Sequence, residues 1–190
     1  MRISGDGVTP DGTGHVLPDG RVVRLRAAGY DSPVAQQLVA AVQQEYVTRY
    51  GGPDEAVVDP AEFVPPEGLF LVAEVDGEPG ACGAWRVHAP GVVEVKRVYV
   101  APAARRLGLA GLVMDALESS AAQAGHRAVV LNSGDRQPEA LALYAARGYG
   151  PVPGYGVYAD SPGAVFLGKQ LDGGDLTGGQ RTGEEQSWAS

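Results

Sequence analysis

The sequence predicts a single domain of mixed α/β (α+β) class, one mixed β-sheet with helices packed on it. Three observations point there. Strand and helix patterns run strand, helix, a run of hairpin strands, helix, strand, helix, strand, an order that mixes hairpins with crossovers. Asp76-Gly77, set between two apolar runs, is a two-residue hairpin signal. The first long helix is marked at both ends, by Ser32-Pro33 at its start and Gly51-Gly52-Pro53 at its stop.

Taken in order, residues 1–20 are Gly-rich and polar and read as a flexible extension, with Leu17 to Gly20 able to turn into a hairpin. Arg21 to Arg26 alternates Val23 and Leu25 with arginines, a strand pattern. The helix after Asp31-Ser32-Pro33 carries Leu38, Val42, Tyr46 and Val47 at helical spacing. The proline-rich stretch from Gly52 to Glu67 reads as a loop. Strands follow at Leu69–Val75, Gly80–His88 and Val92–Val100. A helix is predicted from about Leu107 to Ala124, ending at Gly125. Ala128–Asn132 reads as a strand, Pro138–Arg147 as a short helix stopped by Gly148, and Ala164–Leu171 as a last strand. The domain thus spans 21–171. Residues 172–190 hold almost nothing apolar beyond Leu176 and Trp188 and read as a disordered tail.

Of the 190 residues, 44% are hydrophobic, enough for a core, and the net charge is −8. That balance argues against nucleic-acid binding. No apolar stretch is long enough to span a bilayer. One cysteine, Cys82, excludes an internal disulfide, and Met1-Arg2-Ile3 is not followed by an apolar signal core, so the expected location is cytoplasmic. His15, His88 and His126 show no metal-ligand spacing, and no metal is expected. Neither a hydrolase triad nor a nucleophile elbow is visible, so a covalent acyl-enzyme is not expected.

The segment Arg105-Arg106-Leu107-Gly108-Leu109-Ala110 lies between a strand and a helix. A helix start offers unpaired N–H groups and a partial positive charge, which together hold phosphate. Gly108 has no Cβ to obstruct approach, and the two arginines can add charge-assisted bonds. Further on, Gln137, Ala140, Tyr144, Gly148 and Tyr149 form a second spaced pattern.

These two motifs together resemble the GNAT superfamily of acetyl-CoA-dependent N-acyltransferases. The first matches its R/Q-x-x-G-x-G/A signature. The second matches N-x-x-A-x-x-x-Y-x-x-x-G-F, with Gln137 in place of Asn. Arg106 stands where relatives commonly have Gly. The resemblance implies a mostly antiparallel sheet splayed between Val92–Val100 and Ala128–Asn132. The pantetheine of acetyl-CoA would bond to the backbone of Val98, Tyr99 and Val100, and its pyrophosphate to residues 105–110, with Gln137 and Tyr144 also at the cofactor. It further implies that Tyr144 serves the leaving thiolate and that Glu94 is the base, directly or through water. Dimers are common among such relatives.

Transfer to an amine requires the neutral amine, although a lysine-like amine has a pKa of about 10.4, so its proton must be removed. For the acceptor, a small-molecule or protein amine, Tyr46, Tyr50 and the Gly51-Gly52 turn suggest one wall with Glu45 nearby, Trp85 and Tyr99 another, and Tyr155 to Tyr158 a rim. Aromatic walls beside Glu45 would suit a cationic amine. Two other readings compete: an acyl-CoA-binding module without turnover, and a generic phosphate binder, which lacks the Walker lysine.

Overall fold

The computed structural model describes residues 14–171; the expectations for residues 1–13 and the 172–190 tail lie outside the described residues. Strand β1 (His15–Val16) turns through Leu17–Gly20 into β2 (Val22–Ala27), so the sheet begins before the expected boundary at 21. Leu17 is buried and closes the turn by accepting the Gly20 N–H at 2.9 Å. Helix α1 (Pro33–Tyr50) follows, its Ser32 Oγ accepting the Ala35 N–H, with Gly51 in the left-handed region ending it.

A short 3-10 turn, Pro60–Phe63, drops Phe63 into the core. Then come β3 (Gly68–Val75), β4 (Glu78–Ala89) and β5 (Val92–Val100). Helix α2 (Leu109–Gln123), β6 (Ala128–Gly134), α3 (Pro138–Ala146), β7 (Gly150–Pro151) and β8 (Ala164–Gln170) complete the domain. Two-residue β7 was not expected; it is too short to show any alternation. Helix α2 starts at Leu109, not Leu107. Arg106 (φ 65°) and Gly108 (φ 78°) are both left-handed, a conformation that cannot lie inside an α-helix.

The sheet order is β1-β2-β3-β4-β5-β6-β8-β7. All neighbours are antiparallel except β5 and β6. Alternation along the strands divides the core between two faces. Val93, Val95 and Trp85 pack with Val113 and Leu117 of α2 and with Tyr144 of α3. On the other face Phe70, Val72 and Cys82 pack with Leu38 and Val42 of α1. Cys82 is a buried core residue, as expected, its thiol pushed up to about 12 by burial. Helix α2 can approach β4 closely because Gly83 faces it: a Cβ there would lie 2.6 Å from Val113 Cγ1.

Two irregularities position the site. The β4–β5 register passes from Ala84↔Lys96 to Cys82↔Tyr99, so β5 carries an extra residue. That bulge contains Arg97 at φ 59°. On its other edge β5 pairs with β6 only from Val92↔Ala128 to Val95↔Leu131. Beyond that point β6 continues alongside β8, where Gly134 pairs with Ala164. The two parallel strands therefore part at the bulge, and the edge of β5 from Lys96 to Val100 is open.

Candidate active site

The open edge presents backbone donors. Successive N–H groups of an extended strand point to opposite sides. Ala101 N–H donates to Gly80 O at 2.9 Å, toward β4. By alternation the N–H groups of Val100 and Val98 face the gap. Their side chains pack on the α2 face, whereas the Tyr99 ring packs among residues beside α1.

At the far end of the gap, the chain passes through Pro102–Ala104 into α2. Among the described residues, the backbone N–H groups from Arg106 to Gly111 have no hydrogen-bond partner, and α2 has no side-chain cap. A row of free donors at a helix start is an anion cradle. Nothing lies within 4 Å of where a Gly108 Cβ would be, so the cradle is open. Leu109 contributes its N–H while its side chain is buried; Ala110 is half-buried and Leu107 packs against the core. Arg106 is exposed. Arg105 is tied back: its Nη2 is 2.9 Å from Glu45 Oε2 and its Nε 3.2 Å from Val100 O.

A cavity of about 280 Å3 opens where β5 and β6 part. Its walls include Tyr46 and Tyr50 of α1, Lys96 and Arg97 of the bulge, and Asn132 and Ser133 of β6. The loop after α1 adds Asp54, and the segment between β7 and β8 adds Tyr158. Tyr50 crosses from α1 to β6, where it accepts a hydrogen bond from Gln137 Nε2 at 3.1 Å. It crosses directly over Gly134, where any Cβ would collide with its hydroxyl. Burial pushes the Tyr46 hydroxyl up to about 12.

Asp54 joins three segments. It accepts from Arg97 Nη1, from Tyr158 Oη at 2.7 Å and from the Ala56 N–H at 2.9 Å. Burial works against its charge, but Arg97 and these hydrogen bonds hold the carboxyl below its ordinary value. Arg97 is likewise held charged, above its usual range, by Asp54 against the burial of its guanidinium.

The expected site residues separate into two groups. Tyr46, Tyr50 and Gln137 line the cavity. Tyr144 is buried beneath it, its ring 5.7 Å from Tyr149; burial first, and Tyr46 second, push its hydroxyl well up, so it is a neutral phenol at ordinary pH. Glu94 does not line the cavity. It is buried on the α1 face, with Oε2 2.9 Å from Arg86 and Oε1 3.3 Å from Lys96. Two expectations need correction. Trp85 is no wall of the acceptor site: β4 alternation turns it to the α2 face, where its indole N–H donates to Ser120 Oγ at 3.2 Å. Glu45 is no free partner for a cationic amine, since Arg49 (2.6 Å) and Arg105 hold both its oxygens.

Sequence reasoning missed Asp54, Lys96, Arg97 and Asn132. One signal was present: Lys96-Arg97 interrupts an apolar strand that is buried on both faces, where charged side chains are rare unless paired.

The Acetyltransferase (GNAT) family profile matches residues 35–149. An "IAA acetyltransferase" of Azospirillum brasilense is 31% identical over 147 residues, covering 74% of this chain and 95% of that protein. A candidate acyl-CoA N-acyltransferase of Klebsiella pneumoniae has a structure superposing with a TM-score of 0.66 at 27% identity, over 79% of this chain and 98% of that one. A GNAT family acetyltransferase of Elizabethkingia anophelis, solved with acetyl-CoA bound, gives 0.58 at 15% identity over 78% and 98% of the two chains; at that identity the likeness is one of fold. A split parallel strand pair, a donor-lined helix start and a family match across both agree: the chain belongs to the GNAT acetyltransferase family.

Proposed function

We propose that the protein transfers an acetyl group from acetyl-CoA to a primary amine by direct attack in a ternary complex. One observation carries the reading. The unpaired N–H groups of Arg106 to Gly111 and the open β5 edge lie on one continuous stretch of chain, between the sheet gap and the start of α2. The cradle suits a pyrophosphate and the edge an amide-bearing arm. Acetyl-CoA would supply the activated acyl thioester there.

The protein's own groups divide the remaining work. Val98 and Val100 N–H donors face the place where an oxyanion would develop. Tyr144, held neutral by burial, donates a hydrogen bond to a departing thiolate. Glu94 acts at one remove: Lys96 lies between it and the cavity, so an acceptor proton reaches it through water. Free thiol released from acetyl-CoA with a panel of primary amines tests the proposal. Acceptor-independent CoA binding with no release for any amine would instead support a binding module. That second reading has one observation behind it: among the described residues no unpaired carboxylate lines the cavity.

A further inference from the structure

The cavity has an excess of hydrogen-bond donors and of positive charge, although the chain as a whole carries −8. Among the described residues its charged lining is Lys96, Arg97 and Asp54, two cations to one carboxylate. Asp54 is already fully occupied by Arg97, Tyr158 and the Ala56 N–H. Glu94, behind Lys96, is shared with Arg86. Two donors on lining residues are enclosed and, among the described residues, have no hydrogen-bond partner: Arg97 Nε, on a residue only 5% exposed, and Asn132 Nδ2. Buried donors are almost always paired, and leaving one unpaired is costly. Among the described residues Lys96 makes one hydrogen bond, the long one to Glu94, for three N–H donors.

From this we infer that the acceptor amine also bears a carboxylate, which Lys96 binds at the cavity wall. The inference rests on the acetyl-transfer reading above. A purely cationic amine would meet the two cations and find no free carboxylate. An amino acid or amino-substituted aromatic acid would supply what the lining lacks. Tyr46, Tyr50 and Tyr158 give such a molecule apolar walls. The phosphates of the cofactor are not the missing anion in this scheme, because their cradle lies beyond Val100 at the start of α2.

The test uses matched amines with and without the carboxylate: para-(aminomethyl)benzoate against benzylamine, and phenylalanine against phenethylamine. Thiol release from acetyl-CoA is followed with the full chain. The carboxylate-bearing member is expected to have the higher kcat/KM by roughly 10-fold or more, the scale of a hydrogen bond to a charged group. Lys96→Gln should erase that preference by raising the acceptor KM, with the KM for acetyl-CoA unchanged, and Lys96→Arg should restore part of it. Equal or reversed preference within the pairs overturns the inference but leaves acetyl transfer standing. A Lys96→Gln effect confined to the acetyl-CoA KM overturns it too, assigning the donors to the cofactor. If no member of either pair releases thiol, while calorimetry shows acetyl-CoA bound, the acetyl-transfer reading fails and this inference with it.

Discussion

The two halves of the site are built from different materials. The cradle from Arg106 to Gly111, with the open β5 edge, is almost entirely backbone: free N–H groups whose direction is set by a strand, two left-handed residues and a helix start. The charged groups of the cavity beside it are side chains, Lys96, Arg97 and Asp54, and its walls are assembled from α1, the loop after it, the β5 bulge, β6 and the segment before β8. Backbone donors are the same whatever the neighbouring residues are, which fits the first half to the common cofactor we propose for it. Side chains gathered from distant segments can change one at a time, which fits the second half to acceptor choice in the proposed reaction.

Substitutions on each side should fail in different ways. The largest effect is expected from Asp54→Asn. It strands Arg97, whose side chain is 3% exposed, and breaking such a pair costs about 3–5 kcal/mol. Denaturant melts should show it. The sign with pH is fixed by the lowered Asp54 value. Its contribution is fully present above the unfolded carboxyl pKa of about 3.9 and is lost as pH falls through the folded one. The variant should therefore lose part of the wild-type acid sensitivity. Equal midpoints for the two proteins at neutral pH would dismiss Asp54 as the pin of the cavity.

Gly108→Val comes next, and it strikes the backbone half. The residue must hold φ 78°, a strain of about 1–3 kcal/mol for a side-chain-bearing residue, and its side chain would enter the cradle. Acetyl-CoA affinity should fall about 10- to 100-fold by calorimetry. Unaltered affinity would show that the phosphates bind elsewhere. Tyr144→Phe should lower kcat by about 10-fold, the scale of one hydrogen bond to a charged thiolate, with the acetyl-CoA dissociation constant unchanged. Unchanged turnover removes Tyr144 from the chemistry.

The smallest effect joins the two halves. Glu45→Gln releases Arg105, 46% exposed in its pair, for contact with phosphate. A surface pair of this kind is worth about 0.2–1 kcal/mol, so acetyl-CoA should bind about two- to fivefold tighter, and less so at high salt. Weaker binding would mean that Glu45 holds Arg105 in its working position.

Legibility follows the same division. The cradle motif could be read because its residues are consecutive and their task is a local conformation. Even there Arg106 surprised: a left-handed arginine leaves no pattern in the sequence and delayed α2 by two residues. Trp85 was misread because an aromatic side chain near a strand end carries no mark of which face it joins. Register against β5, with Trp85 opposite Val95, decided that. Glu45 sat at the right end of the right helix, but which cations would claim it depended on Arg105, sixty residues away.

By itself the sequence determined the order of elements, the Asp76-Gly77 hairpin, the helix stops and the strand-to-helix junction around residues 105–110. Each depends on local backbone preference or on apolar period, and both are written in consecutive residues. Only the tertiary structure decided that β5 bulges at Arg97, that Lys96 and Arg97 face Asn132 across the gap, and that Asp54 and Tyr158 close over them. Those contacts join residues up to 104 positions apart, and they form only when strand pairing has brought the segments together.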